Sequence, residues 1–160
     1  MALNFSEQAV NNRVAKVGVG AYLSTATDTP VTTAYTRLLG PFVNVELEGF
    51  EIDGTSGKLM YNPDDSFVRT FVLQYAGNLN CPSLNDIATI GIQLTRATVE
   101  SMIPGSETPV TCRTAGSDYH FARTTPVTFE VGDLIEIQVK GDSSFTCNVA
   151  NFVTTLTKFY

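Results

Sequence analysis

FEVGDLIEIQV, residues 129–139, is the stretch that decides the fold of this chain. A corner at Gly132-Asp133 is followed by strict alternation of apolar and polar residues. The apolar positions share one face and the polar positions the other: Ile135, Ile137 and Val139 against Glu136, Gln138 and Lys140. Such a period of two on β-branched residues is typical of an antiparallel strand with one buried side. The sequence therefore predicts a half-buried strand whose polar side faces water.

Similar runs, broken by Gly, Pro, Asp and Asn, continue outward along the chain. Strand patterns cover residues 14–24, 31–39, 42–52, 58–62, 66–76, 86–96, 109–113, 118–123, 125–131 and 144–160, whereas TATDTP, residues 25–30, is predicted to be a turn. In residues 66–76 neither face is purely polar, which indicates a central strand that is covered on both sides. No helical window of consequence interrupts these runs. We predict an all-β jelly-roll β-sandwich of about eight to ten antiparallel strands.

The chain divides into a short arm and one domain. Residues 14–160 form the jelly-roll domain, and residues 1–13 read differently and form an N-terminal arm. The arm either docks on a neighbouring molecule or is an ordinary frayed terminus, and the sequence leaves both open.

Composition points to assembly with other copies. Hydrophobic residues make up 43% of the 160 residues and charged residues only 16%, below the usual quarter for soluble domains. The net charge is −6, and the ten basic residues are scattered, so we expect no nucleic-acid partner and no polybasic membrane docking. No apolar run is long enough to span a bilayer, and the first residues lack the pattern of a signal peptide.

Few residues could carry chemistry. The single histidine, His120, follows Asp118 by two positions, but we expect an ordinary surface or satisfied histidine and no enzyme. The acidic turn Asp64-Asp65 lacks the pattern of a calcium loop, so we predict no metal, cofactor or small-molecule substrate. The three cysteines are predicted to be buried reduced thiols, with one bridging pair as the alternative: Cys81, Cys112 and Cys147.

Aromatic residues are the best candidates for a partner surface. The chain has six Tyr and ten Phe but no Trp, which weakens a carbohydrate-binding platform and favours rings in the core or at a subunit interface. The residues that we expect to contact a partner come from the arm, the long strand and the chain's end: Phe5, Val10, Arg13, Tyr75, Phe152, Phe159 and Tyr160.

Two stretches resemble known jelly rolls. VTFEVGDLIEIQV (127–139) with the Thr-rich last strand resembles the C-terminal third of C1q/TNF-like jelly rolls. The layout of TAYTRLLGPF, GFEIDGTSGKLMYN, SFVRTFVLQYA and IGIQLTR, within residues 33–96, is similar to jelly-roll proteins of tailed-phage virions. The resemblance covers roughly residues 30–160 and implies a β-sandwich that forms a trimer about a three-fold axis.

These observations lead to one functional expectation and two alternatives. We expect a viral structural protein: a homotrimeric capsid decoration or cement protein, assembled in the host cytoplasm, that binds between major capsid protein subunits on the virion surface. The alternatives are the receptor-binding knob of a phage fibre or spike, and a small β-sandwich module that binds carbohydrate.

Overall fold

The computed structural model describes residues 17–22, 27–38, 43–46 and 49–158. The proposed arm, residues 1–13, lies outside this part of the chain, as do five predicted partner residues: Phe5, Val10, Arg13, Phe159 and Tyr160. The described residues include no helix with the length and hydropathy needed to cross a membrane.

Thirteen strands make up the described fold. In chain order they are β1 (Val17–Tyr22), β2 (Thr27–Val31), β3 (Thr36–Arg37), β4 (Val43–Glu46), β5 (Phe50–Ile52), β6 (Leu59–Tyr61), β7 (Arg69–Asn80), β8 (Ile87–Arg96), β9 (Val99–Met102), β10 (Thr108–Thr111), β11 (Asp118–Phe129), β12 (Leu134–Gly141) and β13 (Phe145–Lys158). All pairings are antiparallel, and the prediction of a jelly-roll β-sandwich is confirmed. The described residues form thirteen strands, more than the eight to ten that were predicted, because several short strands such as β3, β5 and β9 were not separated by the sequence pattern.

The strands form two sheets. The first sheet has the order β11-β7-β13-β1-β4, with β2 also paired to β13. The second has the order β10-β8-β12-β6-β5, with β3 paired to β12 and β9 paired to β8. The long strands β7, β8, β12 and β13 therefore lie inside their sheets, where each has neighbours on both sides.

The apolar face of β12 lies in the core, as predicted. Ile135, Ile137 and Val139 are fully buried, and Ile137 lies opposite Ile92 of β8. The turn before the strand depends on Gly132, whose φ of +86° is costly for any residue with a Cβ.

The prediction that the polar face of β12 is open to water is wrong. Glu136 and Gln138 are both buried. Arg37 Nε lies 3.0 Å and Lys58 Nζ 3.1 Å from the Glu136 carboxylate, and Gln138 donates to both Glu136 and Gln93. Because long side chains from other strands cover this face, polarity along β12 did not indicate exposure.

Aromatic rings fill the space between the sheets in two groups. Neighbouring centroids are 4.9–5.7 Å apart in the first group and 6.0–6.2 Å apart in the second. The first group is Phe50, Tyr61, Phe71 and Phe129, and the second is Tyr75, Phe121 and Phe152. The first group holds the two sheets together, because two of its rings come from β5 and β6 of the second sheet and two from β7 and β11 of the first. The second group comes from β7, β11 and β13, which all belong to the first sheet.

Several predicted boundaries are wrong in detail. The predicted turn at 25–30 contains the start of β2, which pairs with β13 through Pro30 opposite Thr146; proline is tolerated there because β2 has no second neighbour in the described sheet. Residues 32–35 break the strand predicted at 31–39. The two strands predicted at 118–123 and 125–131 are the single strand β11, and β9 was not predicted.

The cysteine prediction is wrong for two of the three residues. Cys81 and Cys112 form a disulfide with Cα atoms 6.0 Å apart, which was the alternative left open by the sequence. It joins the end of β7 in the first sheet to the residue after β10 in the second. Cys147 is a buried free thiol, as predicted.

Candidate functional site

The first sheet has an outer face that the described chain does not cover. Residues directly opposite each other in antiparallel strands share a face, so the register gives three adjacent rows across β11, β7 and β13. The rows are Pro126–Val72–Thr157, Thr124–Gln74–Thr155 and Ala122–Ala76–Val153. We call these nine residues the outer face.

None of the nine residues of the outer face carries a charge. Their polar atoms bond along the sheet: Gln74 Nε2 donates to Thr124 Oγ1 at 3.2 Å, and beside the face the Thr70 and Thr128 hydroxyls are 2.8 Å apart. A shallow groove of about 250 Å³ runs over the second and third of these rows and is bordered by Arg123 on β11. Such a surface offers area and shape but no nucleophile or titratable group.

β7 explains why this face is unusual. The sequence predicted that both faces of this strand are covered, and the described residues cover only one. Leu73 and Tyr75 face the core and are buried, whereas Gln74 on the other side is exposed. A central strand with an uncharged and uncovered side is what a subunit interface requires.

The outer side of the second sheet is different, because it is charged and internally paired. Lys58 contacts both Glu136 and the more exposed Glu100. Farther along, Tyr35 donates to Glu107, and Lys140 lies 3.4 Å from the same carboxylate and 4.3 Å from the Tyr35 ring centroid. Among the described residues these charges are satisfied by one another.

Local contacts shift two pKa values in this second cluster. Burial raises the pKa of Tyr35, and its bond to the Glu107 carboxylate raises it further. The same hydrogen bond, assisted by Lys140, lowers the pKa of Glu107. Both shifts favour the states that the hydrogen bond needs, a protonated Tyr35 and an ionised Glu107. We call Tyr35, Glu107 and Lys140 the clamp.

In the part of the chain described, His120 and Asp118 contact different asparagine side chains. His120 is exposed, with Nδ1 3.3 Å from the Asn78 side-chain oxygen, and Asp118 accepts from Asn80. No group of three or more His, Cys, Asp or Glu side chains is placed to hold a metal among the described residues.

Tyr75 and Phe152 are the two predicted partner residues that the structure describes. Both rings are buried among core aromatics, and the Tyr75 hydroxyl contacts Thr108 at 2.9 Å and the Ile90 carbonyl at 3.3 Å. Burial raises the pKa of Tyr75 to about 12. That these rings contact a partner stays a prediction. Sequence reasoning missed the small residues of the outer face, whose signal was the absence of charge on alternate positions of β7.

Comparison with known proteins places the fold in one class. No family model and no curated protein matches the sequence. The Eiger TNF from S. frugiperda is similar in structure, with a TM-score of 0.64 over 92% of this chain and 94% of that one at 8% identity. Murine APRIL at pH 5.0 is also similar, with a TM-score of 0.58 over 89% of this chain and 99% of that one at 9% identity. The fold is therefore a TNF-like jelly roll.

The particular protein within that class is not specified by these neighbours. Murine APRIL at pH 8.5 gives the same TM-score of 0.58 at 9% identity and covers 90% of this chain and 100% of its own. At such low identity the similarity shows the fold alone, and function has to be argued from the surfaces of this chain.

Proposed function

We propose that this chain is a non-catalytic structural subunit that assembles as a homotrimer through the outer face. The observation that carries the proposal is the nine-residue uncharged surface on the central strands of the first sheet. Charged residues are depleted at the cores of protein interfaces because each would lose its water there. This surface can be buried without that cost.

The two sides of the sandwich support a single choice of interface. On the second sheet, Glu136 already forms ion pairs with Arg37 and Lys58, so covering that side would gain little. On the first sheet, Val72, Ala76 and Val153 remain partly exposed, and covering them would remove apolar area from water. C1q/TNF-like jelly rolls, which the chain resembles, provide the precedent for three-fold assembly.

Light scattering after size exclusion tests the trimer. We expect a mass about three times the 17.3 kDa of one chain, and we expect Thr124→Glu to give a monomer of unchanged fold, since three symmetry-related carboxylates would be buried near one another. The matched control is Thr111→Glu on β10, an exposed strand position of the second sheet, which should leave the trimer intact. A monomeric wild type at micromolar concentration, or a trimeric Thr124→Glu, would refute the proposal.

The finer role that we propose is capsid decoration in a viral particle, with the major capsid protein as partner. The resemblance to jelly-roll proteins of tailed-phage virions supports it. The Cys81–Cys112 disulfide suits exposure on a virion surface, where such bonds persist, and it would form after release if the particle assembles in the host cytoplasm.

One end of the sandwich is the candidate for contact with the particle. The loop before β7 and the turn before β12 meet there, since Arg69 lies opposite Phe129, and they expose Phe67 and Val131. We call this the Phe67 end. Exposed apolar side chains at loop tips are a common means of binding a second protein.

Co-sedimentation with purified capsids tests this role. Phe67→Ser should weaken capsid binding because it removes a 67% exposed ring, and the matched control is Leu84→Ser, 60% exposed in the loop after β7 at the opposite end. Equal binding by both variants would refute the assignment of the Phe67 end. If the wild-type trimer fails to bind capsids, the decoration role is refuted while the trimer stands.

A further inference from the structure

The three cysteines of the chain converge at one place in the core. Cys81 follows the last residue of β7, Cys112 follows the last residue of β10, and Cys147 lies near the start of β13. All three are fully buried. Only the first two are joined, which leaves a free thiol beside a disulfide.

The register between β7 and β13 places the free thiol next to Cys81. Asn148 lies opposite Asn80 and Val149 opposite Leu79, so the next step of the same antiparallel register sets Cys147 opposite Cys81. Leu79 and Val149 are fully buried, and residues two positions along a strand share a face. Both sulfurs therefore point inward from neighbouring strands.

These positions suit a second bridge. Opposite residues on antiparallel strands have Cα atoms about 4.5–5.5 Å apart, which lies within the range of about 4.4–6.8 Å that disulfides span. The backbone around the existing bridge is held by hydrogen bonds, including Gly116 N to the Cys81 carbonyl at 3.0 Å and Cys112 N to the Asp86 carbonyl at 2.9 Å. Cys81 is thus fixed between two possible sulfur partners.

We infer that Cys81 is a shared position that pairs with either Cys112 or Cys147 through internal thiol–disulfide exchange. The Cys147 thiolate attacks the Cys81 sulfur, the new S–S bond forms as the Cys81–Cys112 bond breaks, and Cys112 leaves as a thiolate. The proton lost by Cys147 is balanced by the one that Cys112 takes up. No external oxidant or reductant is consumed.

The two isomers differ in what they join. The Cys81–Cys112 bond links the first sheet to the second, whereas a Cys81–Cys147 bond would link two neighbouring strands of the first sheet. Exchange therefore releases residue 112 and the segment leading into β11 from the first sheet. The chain acquires two covalent states of the same fold.

Proton affinity sets the rate of the exchange. Burial raises the pKa of the Cys147 thiol to about 12, so at neutral pH it is almost entirely protonated. Only the thiolate attacks, so the exchange rate should increase about tenfold for each unit by which the pH is raised, as long as the pH stays below that pKa.

Peptide mapping reads out the isomers directly. Trypsin cleavage after Lys and Arg places the three cysteines in separate peptides, 70–96, 97–113 and 141–158. The folded wild-type chain is incubated at neutral pH or at about pH 9, and its single free thiol is blocked with N-ethylmaleimide in acidified urea. We expect the label on 141–158 after neutral incubation and increasingly on 97–113 after alkaline incubation. A label that stays on 141–158 at every pH at which the chain remains folded would overturn the inference.

Serine variants give a second and independent test. Cys112→Ser, folded and then treated with oxidised glutathione, should lose both remaining thiols and give peptide 70–96 joined to 141–158. Cys147→Ser should keep the original bridge and take up no label at any pH, because it has no free thiol to start the exchange. Two free thiols persisting in folded Cys112→Ser, or a bridge that forms only in urea, would contradict the placement of Cys147 beside Cys81.

Discussion

Replacing Asp133 with alanine should destabilise the fold far more than replacing its neighbour Glu130, although both carboxylates contact Arg96. Asp133 is 2% exposed and accepts from Arg96 Nε at 3.0 Å, from Arg96 Nη2 at 2.5 Å and from the Glu130 backbone N–H at 2.8 Å. The Glu130 carboxylate instead makes one ion pair, with Arg96 Nη1 at 2.8 Å, and its side chain is 52% exposed. Because the arginine is the same, the comparison reports the burial of Asp133 together with its additional hydrogen bonds.

The magnitude follows from those contacts. Hydrogen bonds to a charged group contribute about 1.5–3 kcal/mol each, but the Arg96 side chain is 38% exposed and regains water when its partner is removed. We therefore expect Asp133→Ala to lower the free energy of unfolding by about 2–3 kcal/mol. An exposed ion pair contributes at most about 1 kcal/mol, so Glu130→Ala should cost less than that.

Urea titration at one fixed protein concentration measures both variants, since any assembly makes stability depend on concentration. The midpoint should fall with an unchanged slope, which shows that stability and not the compactness of the unfolded chain has changed. Equal losses for the two variants would refute the reasoning, because burial and the backbone N–H would then contribute nothing. The result bears directly on why a Gly-Asp corner precedes β12.

Three further outcomes follow from the core and the clamp. Gly77→Ala should destabilise by about 1–3 kcal/mol, measured by thermal unfolding, because its Cβ would lie 2.8 Å from the Phe121 ring. Cys81→Ser should cost about 3–4 kcal/mol by urea titration, since it opens a bridge across a sequence separation of 31. The lowered pKa of Glu107 contributes stability that is present above the unfolded pKa of that carboxyl and is lost as pH falls through its folded value. Tyr35→Phe should therefore flatten the acid side of the stability–pH curve, and an unaltered curve would contradict the clamp.

The parts of the fold that the sequence predicted are those where one strand's own pattern decides its structure. Alternation placed β8 and β12, and it found the core face of Ile135 and Ile137. In each case the physical cause lies within a few residues of its effect.

The errors arose where distant residues decide. Glu136 is buried because Lys58 and Arg37, far away in sequence, reach across it. TATDTP looked like a turn because Asp28 and Pro30 favour one, yet β13 supplies the hydrogen-bond partners that make it a strand. The candidate site was hidden for the same reason, because only the register aligns positions of β7, β11 and β13 into one surface.

The contrast between the two outer sides of the sandwich is the strongest argument for assembly. A single sheet exposed on one side normally carries polar residues there, because water is the neighbour. The second sheet follows this rule, because its outer side carries charged residues. These residues pair so closely that Glu136 is buried among them. The first sheet differs in charge, because three rows of its outer face contain only Pro, Val, Ala, Thr and Gln. Such an uncharged surface packs well against another uncharged surface. The same face of an identical copy, related by symmetry, is a surface of that kind.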